Sequence, residues 1–222
     1  MIVLFGGQKG GTGKSTLAQN VAVWMAKNEL DVMLLDTDTQ CTVSRWHDRR
    51  VERHDKLVEQ GSEGLALVHC TQTTGMVHAT ARDLDNRYDV VVIDAGGRDS
   101  TELRSSMSVA DKLFVPMKAS QPDLETTAHM SEVVSLSKAH NPDMQAFGLL
   151  SMAPTNPMLS EAEQARDALC ELGMDIQPIE DVFIHDRKVY RDAMIEGFGV
   201  MEMNNEKAKK ELNNLCRSYI IV

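Results

Sequence analysis

The chain has 222 residues, of which 42% are hydrophobic and 25% are charged, and its formal net charge is −10. This composition suits one soluble globular domain over residues 1–222, and no apolar run is long enough for a transmembrane helix. The negative charge repels polyanions, so contact with nucleic acid would need a local basic patch and would be sensitive to salt.

The predicted elements alternate between short apolar runs and segments with helical spacing. Strands are predicted over residues 1–5, 31–35, 65–70, 88–93, 112–116, 146–152 and 182–184, and helices over 14–27, 43–57, 76–87, 101–109, 124–140, 160–172, 189–196 and 206–218. Apolar strands separated by helices predict an α/β fold, a doubly wound, mostly parallel sheet with helices on both faces. Ligands of such folds bind at the carboxyl ends of the strands.

The N-terminal residues and the cysteines bear on cellular location. The first eleven residues, MIVLFGGQKGG, carry no basic leader and predict a buried strand in place of a signal peptide. Four cysteines lie far apart without a C-x-x-C pair, which favours free thiols over disulfides or a metal site. We therefore expect a cytoplasmic protein.

Residues 8–16, QKGGTGKST, resemble a phosphate-binding loop between a strand and a helix. Gln8 replaces the first glycine of the pattern G-x-x-x-x-G-K-[ST], and Lys9 adds a second lysine. Lys14 would reach the β- and γ-phosphates, and Ser15 would coordinate Mg²⁺. The candidate nucleotide-binding residues are Gly10, Gly11, Thr12, Gly13, Lys14, Ser15 and Thr16. The alternative is a glycine-rich turn that begins a helix by chance.

Three aspartates follow two of the predicted strands. Asp36 and Asp38 lie in LLDTDTQ, and Asp94 ends the strand of VVIDAGG. Because proteins hold Mg²⁺ through few carboxylates and several waters, Asp94 is the candidate metal carboxylate, acting on Mg²⁺ through water, and Asp36 would support the metal shell. Asp38 lies further out and would orient the attacking water. The alternative for Asp36 is a structural role at the strand end. Gly96 and Gly97 would form a switch that senses the γ-phosphate.

These motifs resemble the ParA/MinD family of deviant-Walker ATPases. The matching segments are KGGTGKST, LLDTDTQ, YDVVVIDAGG and LFVPMKASQPDLE, and RKVYRDAMIEGFGVME resembles the late segment of short, ParF-like plasmid partition ATPases. The resemblance implies a P-loop domain with slow ATP hydrolysis. It also implies an ATP-bound homodimer in which Lys9 of each subunit reaches the partner's phosphates.

The resemblance also implies partners and further site residues. The ATP dimer would bind DNA non-specifically over the nucleoid, and a small centromere-binding or adaptor protein would stimulate hydrolysis. Adenine would lie near Met152, Ile184 and His185. No residues precede the first strand, so an N-terminal helix-turn-helix and operator-specific regulation are not expected.

The candidate DNA-binding residues lie in a basic part of this acidic chain. They are Arg187, Lys188, Arg191, Lys207 and Lys210. The alternative is a mixed, solvated helix face, which is also the preferred interpretation of the arginines between residues 45 and 53. The C-terminal segment predicts a packed helix in preference to a membrane anchor.

Two other functions remain open. One is a MinD-like, membrane-associated spatial regulator. The other is a metabolic enzyme on the same fold, such as an ATP-dependent synthetase or an iron–sulfur carrier. The wide spacing of the cysteines argues against a cluster carrier, and no substrate pocket for a synthetase is recognisable in the sequence.

Overall fold

The computed structural model describes residues 1–97, 99–118, 121–155 and 175–221, and for residues 121–128 the backbone alone. The strands are β1 (Ile2–Phe5), β2 (Val32–Asp36), β3 (His69–Gln72), β4 (Val90–Asp94), β5 (Lys112–Met117), β6 (Gln145–Ala153), β7 (Gln177–Pro178) and β8 (Ile184–His185). The helices are α1 (Lys14–Lys27), α2 (Thr42–Glu59), α3 (Val77–Asp85), α4 (Thr101–Met107), α5 (Gln121–Lys138), α6 (Lys188–Glu196) and α7 (Glu206–Leu215).

The strands form one parallel sheet in the order β3-β2-β4-β1-β5-β6-β7, and β8 also pairs with β6. The predicted doubly wound fold is therefore confirmed. Strands β1, β2, β4 and β5 are buried along their whole length because helices cover both faces. Helices α1, α2, α6 and α7 pack on one face, and α3, α4 and α5 pack on the other. All parallel strands end at one edge, where β1 leads into the loop before α1.

The predicted strand at residues 65–70 is displaced, since β3 begins only at His69. Side chains of α2 hydrogen-bond the backbone of the segment just before β3. His54 bonds to residue 65, Arg50 to residue 66 and His47 to residue 68. Backbone groups satisfied in this way do not need a sheet ladder. The strand predicted at 182–184 is likewise displaced, since the observed strand there is β8. Strand β7 was not predicted because it has only two residues. The helix predicted at 160–172 lies outside the described residues.

Arg50 corrects the interpretation of the arginine cluster as a solvated face. Its side chain is 3% exposed, and its two terminal nitrogens each lie 2.8 Å from a carboxylate oxygen of Glu202. Arg50 also donates to the carbonyl oxygen of Gly197. This buried ion pair joins α2 to the segment after α6, so the sequence pattern gave the wrong environment for Arg50.

The C-terminal helix packs against the sheet, as expected. Leu212 and Leu215 of α7 are fully buried, and Ile220 follows them into the core. The Lys112 ammonium at the start of β5 donates to the carbonyl oxygens of Tyr219 and Ile220, at 3.0 Å each. Along the described ranges, no helix combines the length and the apolar character needed to cross a bilayer.

Candidate nucleotide-binding site

The loop between β1 and α1 is shaped by glycines with left-handed backbones. Gly11 has a φ of 73° and Gly13 a φ of 89°, a region that residues with a Cβ atom rarely adopt. Gly13 caps α1, so the first amides of that helix open onto the loop. The Ser151 hydroxyl of β6 donates to the Thr12 carbonyl oxygen at 2.5 Å and holds the loop against the sheet. This arrangement is a phosphate cradle at a helix N-terminus.

Lys14 lies across the mouth of this loop. It is 7% exposed, and its ammonium nitrogen donates to the carbonyl oxygen of Lys9 at 2.7 Å. Burial lowers the pKa of Lys14, and the nearby carboxylates of Asp94 and Asp38 oppose that shift. A buried cation between two carboxylates and an anion cradle is suited to bind a polyphosphate.

Asp36 and Asp94 end neighbouring strands and lie opposite each other in the register of β2 and β4. The backbone amide and the hydroxyl of Thr37 both donate to the Asp94 carbonyl oxygen, each at 3.0 Å. These bonds fasten the chain after β2 to the end of β4. The two carboxylates predicted to serve the metal therefore do meet at one edge of the sheet.

The Asp94 carboxylate is fully buried, and neither of its oxygens accepts a hydrogen bond. Burial raises its pKa from 3.8 to about 7, and the charges of Asp36 and Asp38 act in the same direction. The nearby Ser15 hydroxyl and the charge of Lys14 oppose the rise. A buried carboxylate without a donor, beside a serine hydroxyl, matches the hard oxygen ligands that Mg²⁺ prefers. Ser15 and Asp94 therefore fit the predicted metal site.

Asp36 is already engaged by the protein. The amide and hydroxyl of Ser44 donate to its Oδ2 at 2.9 and 2.7 Å, and the Asp38 amide donates to its Oδ1 at 3.1 Å. Asp36 thus binds the first turn of α2 and fixes the loop that carries Asp38. Of the two interpretations of Asp36, the geometry supports the structural one, and a direct metal bond would have to compete with these donors.

Two further loops contact the phosphate loop. The Asp38 carboxylate lies beside Gly96, where an added Cβ would meet its Cγ at 3.4 Å. At Gly97 an added Cβ would lie 2.9 Å from the backbone nitrogen of Gly10 and 3.1 Å from the carbonyl carbon of Lys9. The loop after β4 therefore touches both the loop after β2 and the phosphate loop.

Gly97→Ala is expected to weaken nucleotide binding about tenfold or more, because overpacking of about 1–3 kcal/mol would push Gly10 out of place. Titration with a fluorescent ATP analogue measures the effect. Gly96→Ala is the matched comparison and should cost less, since its new methyl group would meet a side chain that can rotate. Equal affinities for Gly97→Ala and the parent protein would contradict the close contact.

The three residues predicted to surround adenine line one cleft with Gly13 and Thr16. Met152 has a left-handed backbone, with a φ of 53°, at the irregularity between β6 and β8. That irregularity lets Ser151 face the phosphate loop while Met152, Ile184 and His185 line the cleft. The cleft is contiguous with the start of α1.

Two of the predicted DNA-binding residues, Arg187 and Arg191, form ion pairs beside the cleft. The Arg187 guanidinium and the His185 ring both contact the Glu211 carboxylate, Arg187 Nε at 3.0 Å and His185 Nδ1 at 2.9 Å. Arg191 is ion-paired with Asp186. Arg187 and Arg191 also line the cleft beside Met152, which their positions in the sequence did not reveal.

The remaining three predicted DNA-binding residues are exposed. Lys188 lies in the first turn of α6, and Lys207 and Lys210 lie on α7. Lys188 pairs with Asp192 one turn further along its own helix, at 3.3 Å. Lys207 and Lys210 line a shallow cavity next to Arg187.

Sequence reasoning missed Ser151, Thr37, Ser44 and Glu211. Ser151 contacts a loop residue 139 positions away in the chain. Ser44 could have been found as a hydroxyl near the start of a predicted helix, a common capping position. For the other three, no local pattern distinguishes them from ordinary polar residues.

Comparison with known proteins finds matches along most of the chain. A family model described as ATPase MipZ matches residues 1–139. Maintenance of carboxysome distribution protein A from Gloeobacter kilaueensis is 27% identical and covers 91% of this chain and 84% of its own length. The chromosome-partitioning ATPase Soj from Thermus thermophilus is 28% identical and covers 72% of each chain. A Cyanothece McdA variant solved with ATP has a TM-score of 0.77 at 17% identity, covering 98% of this chain and 95% of that chain.

Proposed function

The chain belongs to the ATPase MipZ family, within the ParA/MinD ATPases, and from this premise we propose that it is an ATP-driven dimerising switch that partitions DNA or positions another large cargo. The observation that carries the proposal is a chain of contacts: the Asp38 carboxylate lies beside Gly96, and the neighbouring Gly97 lies against Gly10 and Lys9 of the phosphate loop. A γ-phosphate bound there would touch all three loops. ATP binding and hydrolysis would then change the surface around the site.

Each residue of the site has a proposed part in hydrolysis. The loop amides and the Lys14 ammonium bind the phosphates and neutralise charge that develops during transfer. Ser15 and Asp94 would hold Mg²⁺, which supplies positive charge to the β- and γ-phosphate oxygens when bound. Asp38 orients the water for attack on the γ-phosphorus, and the bond to the β–γ bridging oxygen breaks to release phosphate. Asp36 holds the Asp38 loop in place.

ATP-dependent dimerisation follows from the second lysine of the loop. Lys9 is half-buried at the outer end of the loop, and its carbonyl oxygen already binds Lys14 of the same subunit. Lys14, which is buried in the loop, would serve the phosphates within the subunit. We propose that the Lys9 ammonium reaches the phosphates of a second subunit across a face-to-face interface.

The proposed DNA-binding surface is centred on Lys188, Lys207 and Lys210. The exposure of these lysines, and of Arg191, supports contact with a phosphate backbone, because the ion pairs of Lys188 with Asp192 and of Arg191 with Asp186 are open to solvent. Arg187 is less exposed and is engaged with Glu211. A dimer would present two copies of this surface and so raise the avidity for DNA. The named relatives act in chromosome partition and carboxysome distribution, which is consistent with a nucleoid-bound ATPase that acts on cargo through an adaptor protein.

The test of the proposed function is DNA binding with ATP, with ADP and without nucleotide, at two salt concentrations. We expect the protein to bind DNA only in the presence of ATP. The affinity for DNA should fall markedly at the higher salt concentration, because the release of counterions drives DNA binding. A Lys207→Ala/Lys210→Ala variant should lose DNA binding yet still hydrolyse ATP. Equal DNA binding in all three nucleotide states would exclude the ATP-gated model.

Glu211→Gln is expected to weaken ATP binding about tenfold, because hydrogen bonds to a charged group contribute about 1.5–3 kcal/mol. The change keeps the size of the side chain but removes the charge that orients Arg187 and His185 in the cleft. Titration with a fluorescent ATP analogue provides the measurement. Glu206→Gln, on the exposed side of the same helix, is the control and should bind ATP normally. Unchanged affinity in Glu211→Gln would show that the cleft does not bind the base.

A further inference from the structure

A second cavity lies on the face of the sheet that α3, α4 and α5 cover. It has a volume of about 600 Å³ and opens to solvent. Its walls include Met76 just before α3 and Leu136 on α5, two large apolar side chains that are 64% and 63% exposed. A preformed groove with an exposed apolar rim is typical of a surface that binds another molecule.

Hydrogen bonds join α4 and the turn after it to α3 and to the turn after α5, and give the groove a defined shape. On the α3 side, the Ser105 hydroxyl of α4 accepts from the amide of His78 at 3.0 Å. On the α5 side, the Asn141 side chain donates to the carbonyl oxygens of Met107 and Ala110, each at 2.8 Å. Because α4 is tied to both neighbours, the groove does not need to be formed by its ligand.

The polar groups in the groove favour a partner that carries carboxylates. The described lining residues supply hydroxyls, the imidazoles of His78 and His140 and the guanidinium of Arg104, and they include no carboxylate. This set of donors stands out in a chain of net charge −10. Arg104 donates to both carboxylate oxygens of Asp99, at 2.7 Å each, and is 47% exposed in its side chain, so its remaining donors are open to a carboxylate of a partner.

We propose that this groove, between α3, α4 and α5, docks an amphipathic helical segment of a partner protein whose apolar face carries leucine-like side chains and whose flanks carry carboxylates. The apolar side chains would pack between Met76 and Leu136, and the carboxylates would bind Arg104 and His140. Such a helix-in-groove contact uses shape, apolar area and charge together.

The position of the groove connects it to the nucleotide switch. Helix α4, which supplies Thr101, Arg104 and Ser105 to the lining, begins four residues after Gly97. A segment docked there would contact the helix that follows the proposed γ-phosphate sensor. The groove lies on the opposite face of the sheet from α6 and α7, so the proposed DNA surface stays free. The regulatory role of the docked partner rests on the proposed function, whereas the binding itself does not.

The test selects peptides from a displayed library of 14-residue helices with a constant leucine stripe and Glu, Lys or Ser at the polar positions. Selection uses the intact protein without nucleotide, and fluorescence anisotropy measures the affinity of the enriched peptides. We expect glutamate-rich peptides to be enriched. Leu136→Glu and Arg104→Glu should each weaken their binding at least tenfold.

Val58→Glu is the matched control, because Val58 is a 53% exposed apolar residue on α2, on the other face of the sheet. It should bind the peptides as the parent protein does, and thermal unfolding confirms that all variants fold. No enrichment, enrichment of lysine-rich peptides, or binding that Leu136→Glu leaves intact would each overturn the inference. ATP hydrolysis and dimerisation are measured separately, so their failure would count against the proposed function and not against the groove.

Discussion

Asp94→Asn is expected to lower the rate of ATP hydrolysis about 10- to 100-fold. In the metal-free protein, the variant should also lack the decrease in stability that the parent shows as the pH rises. The folded protein holds the pKa of Asp94 at about 7, above its ordinary value of 3.8, because the carboxylate is buried. The folded state therefore binds the proton more tightly than the unfolded state. The stability that this group contributes is complete below pH 4 and is lost as the pH rises to 7.

The loss amounts to at most about 4 kcal/mol, since each unit of pKa shift corresponds to about 1.36 kcal/mol. Chemical unfolding in EDTA between pH 4 and pH 8 measures this loss as the difference in the free energy of unfolding between the parent and the variant. At pH 8 the variant should be the more stable protein, because asparagine carries no buried charge. Added Mg²⁺ and nucleotide should then stabilise the parent more than the variant.

Asp143→Asn is the control for this experiment, since Asp143 is an exposed carboxylate at the surface. Its unfolding curves should follow those of the parent at every pH. Parallel curves for Asp94→Asn and the parent would show that Asp94 does not carry an uncompensated charge. Equal stabilisation of both proteins by Mg²⁺ and nucleotide would show that Asp94 is not part of the metal site.

Lys9→Ala is expected to prevent ATP-dependent dimerisation while it leaves ATP affinity within about threefold of the parent. Truncating one partner of a buried charge pair costs about 2–5 kcal/mol, which weakens the dimer at least about 30-fold. The loop itself should persist because Lys14 binds the Lys9 carbonyl oxygen, a backbone group that the substitution retains. Light scattering with ATP and Mg²⁺ separates monomer from dimer.

Two other lysines of the same region make the comparison specific. Lys14→Ala should abolish tight ATP binding itself, because Lys14 is the buried cation of the phosphate loop. Lys27→Ala, at the exposed far end of α1, should change neither ATP affinity nor dimerisation. A Lys9→Ala protein that dimerises like the parent would remove the proposed contact between subunits.

The Lys9, Asp94 and Gly97 substitutions test different steps of one cycle. Gly97→Ala disturbs the contact between the switch loop and the phosphate loop, Asp94→Asn removes the metal carboxylate, and Lys9→Ala removes the proposed link to the second subunit. Their effects should therefore appear in nucleotide affinity, metal dependence and dimerisation, respectively.

Local sequence patterns were sufficient to predict the parallel sheet and the phosphate loop. Alternating apolar runs and helical segments indicate βαβ units, and the glycines before Lys14 mark a sharp turn from a strand into a helix. Asp36 and Asp94 could be predicted to meet because parallel strands end at a common edge. These features depend on residue type and on spacing along a short stretch of chain.

The environment of individual charged side chains depended on the tertiary structure. Asp36 proved to bind Ser44, Arg187 proved to bind Glu211, and Arg50 proved to be buried against Glu202, 152 residues away. A charged residue looks the same in a sequence whether water or a distant partner surrounds it. Only the packing of α2, α6 and α7 over the sheet brings these partners within hydrogen-bonding distance, and so decides which charges remain for ligands.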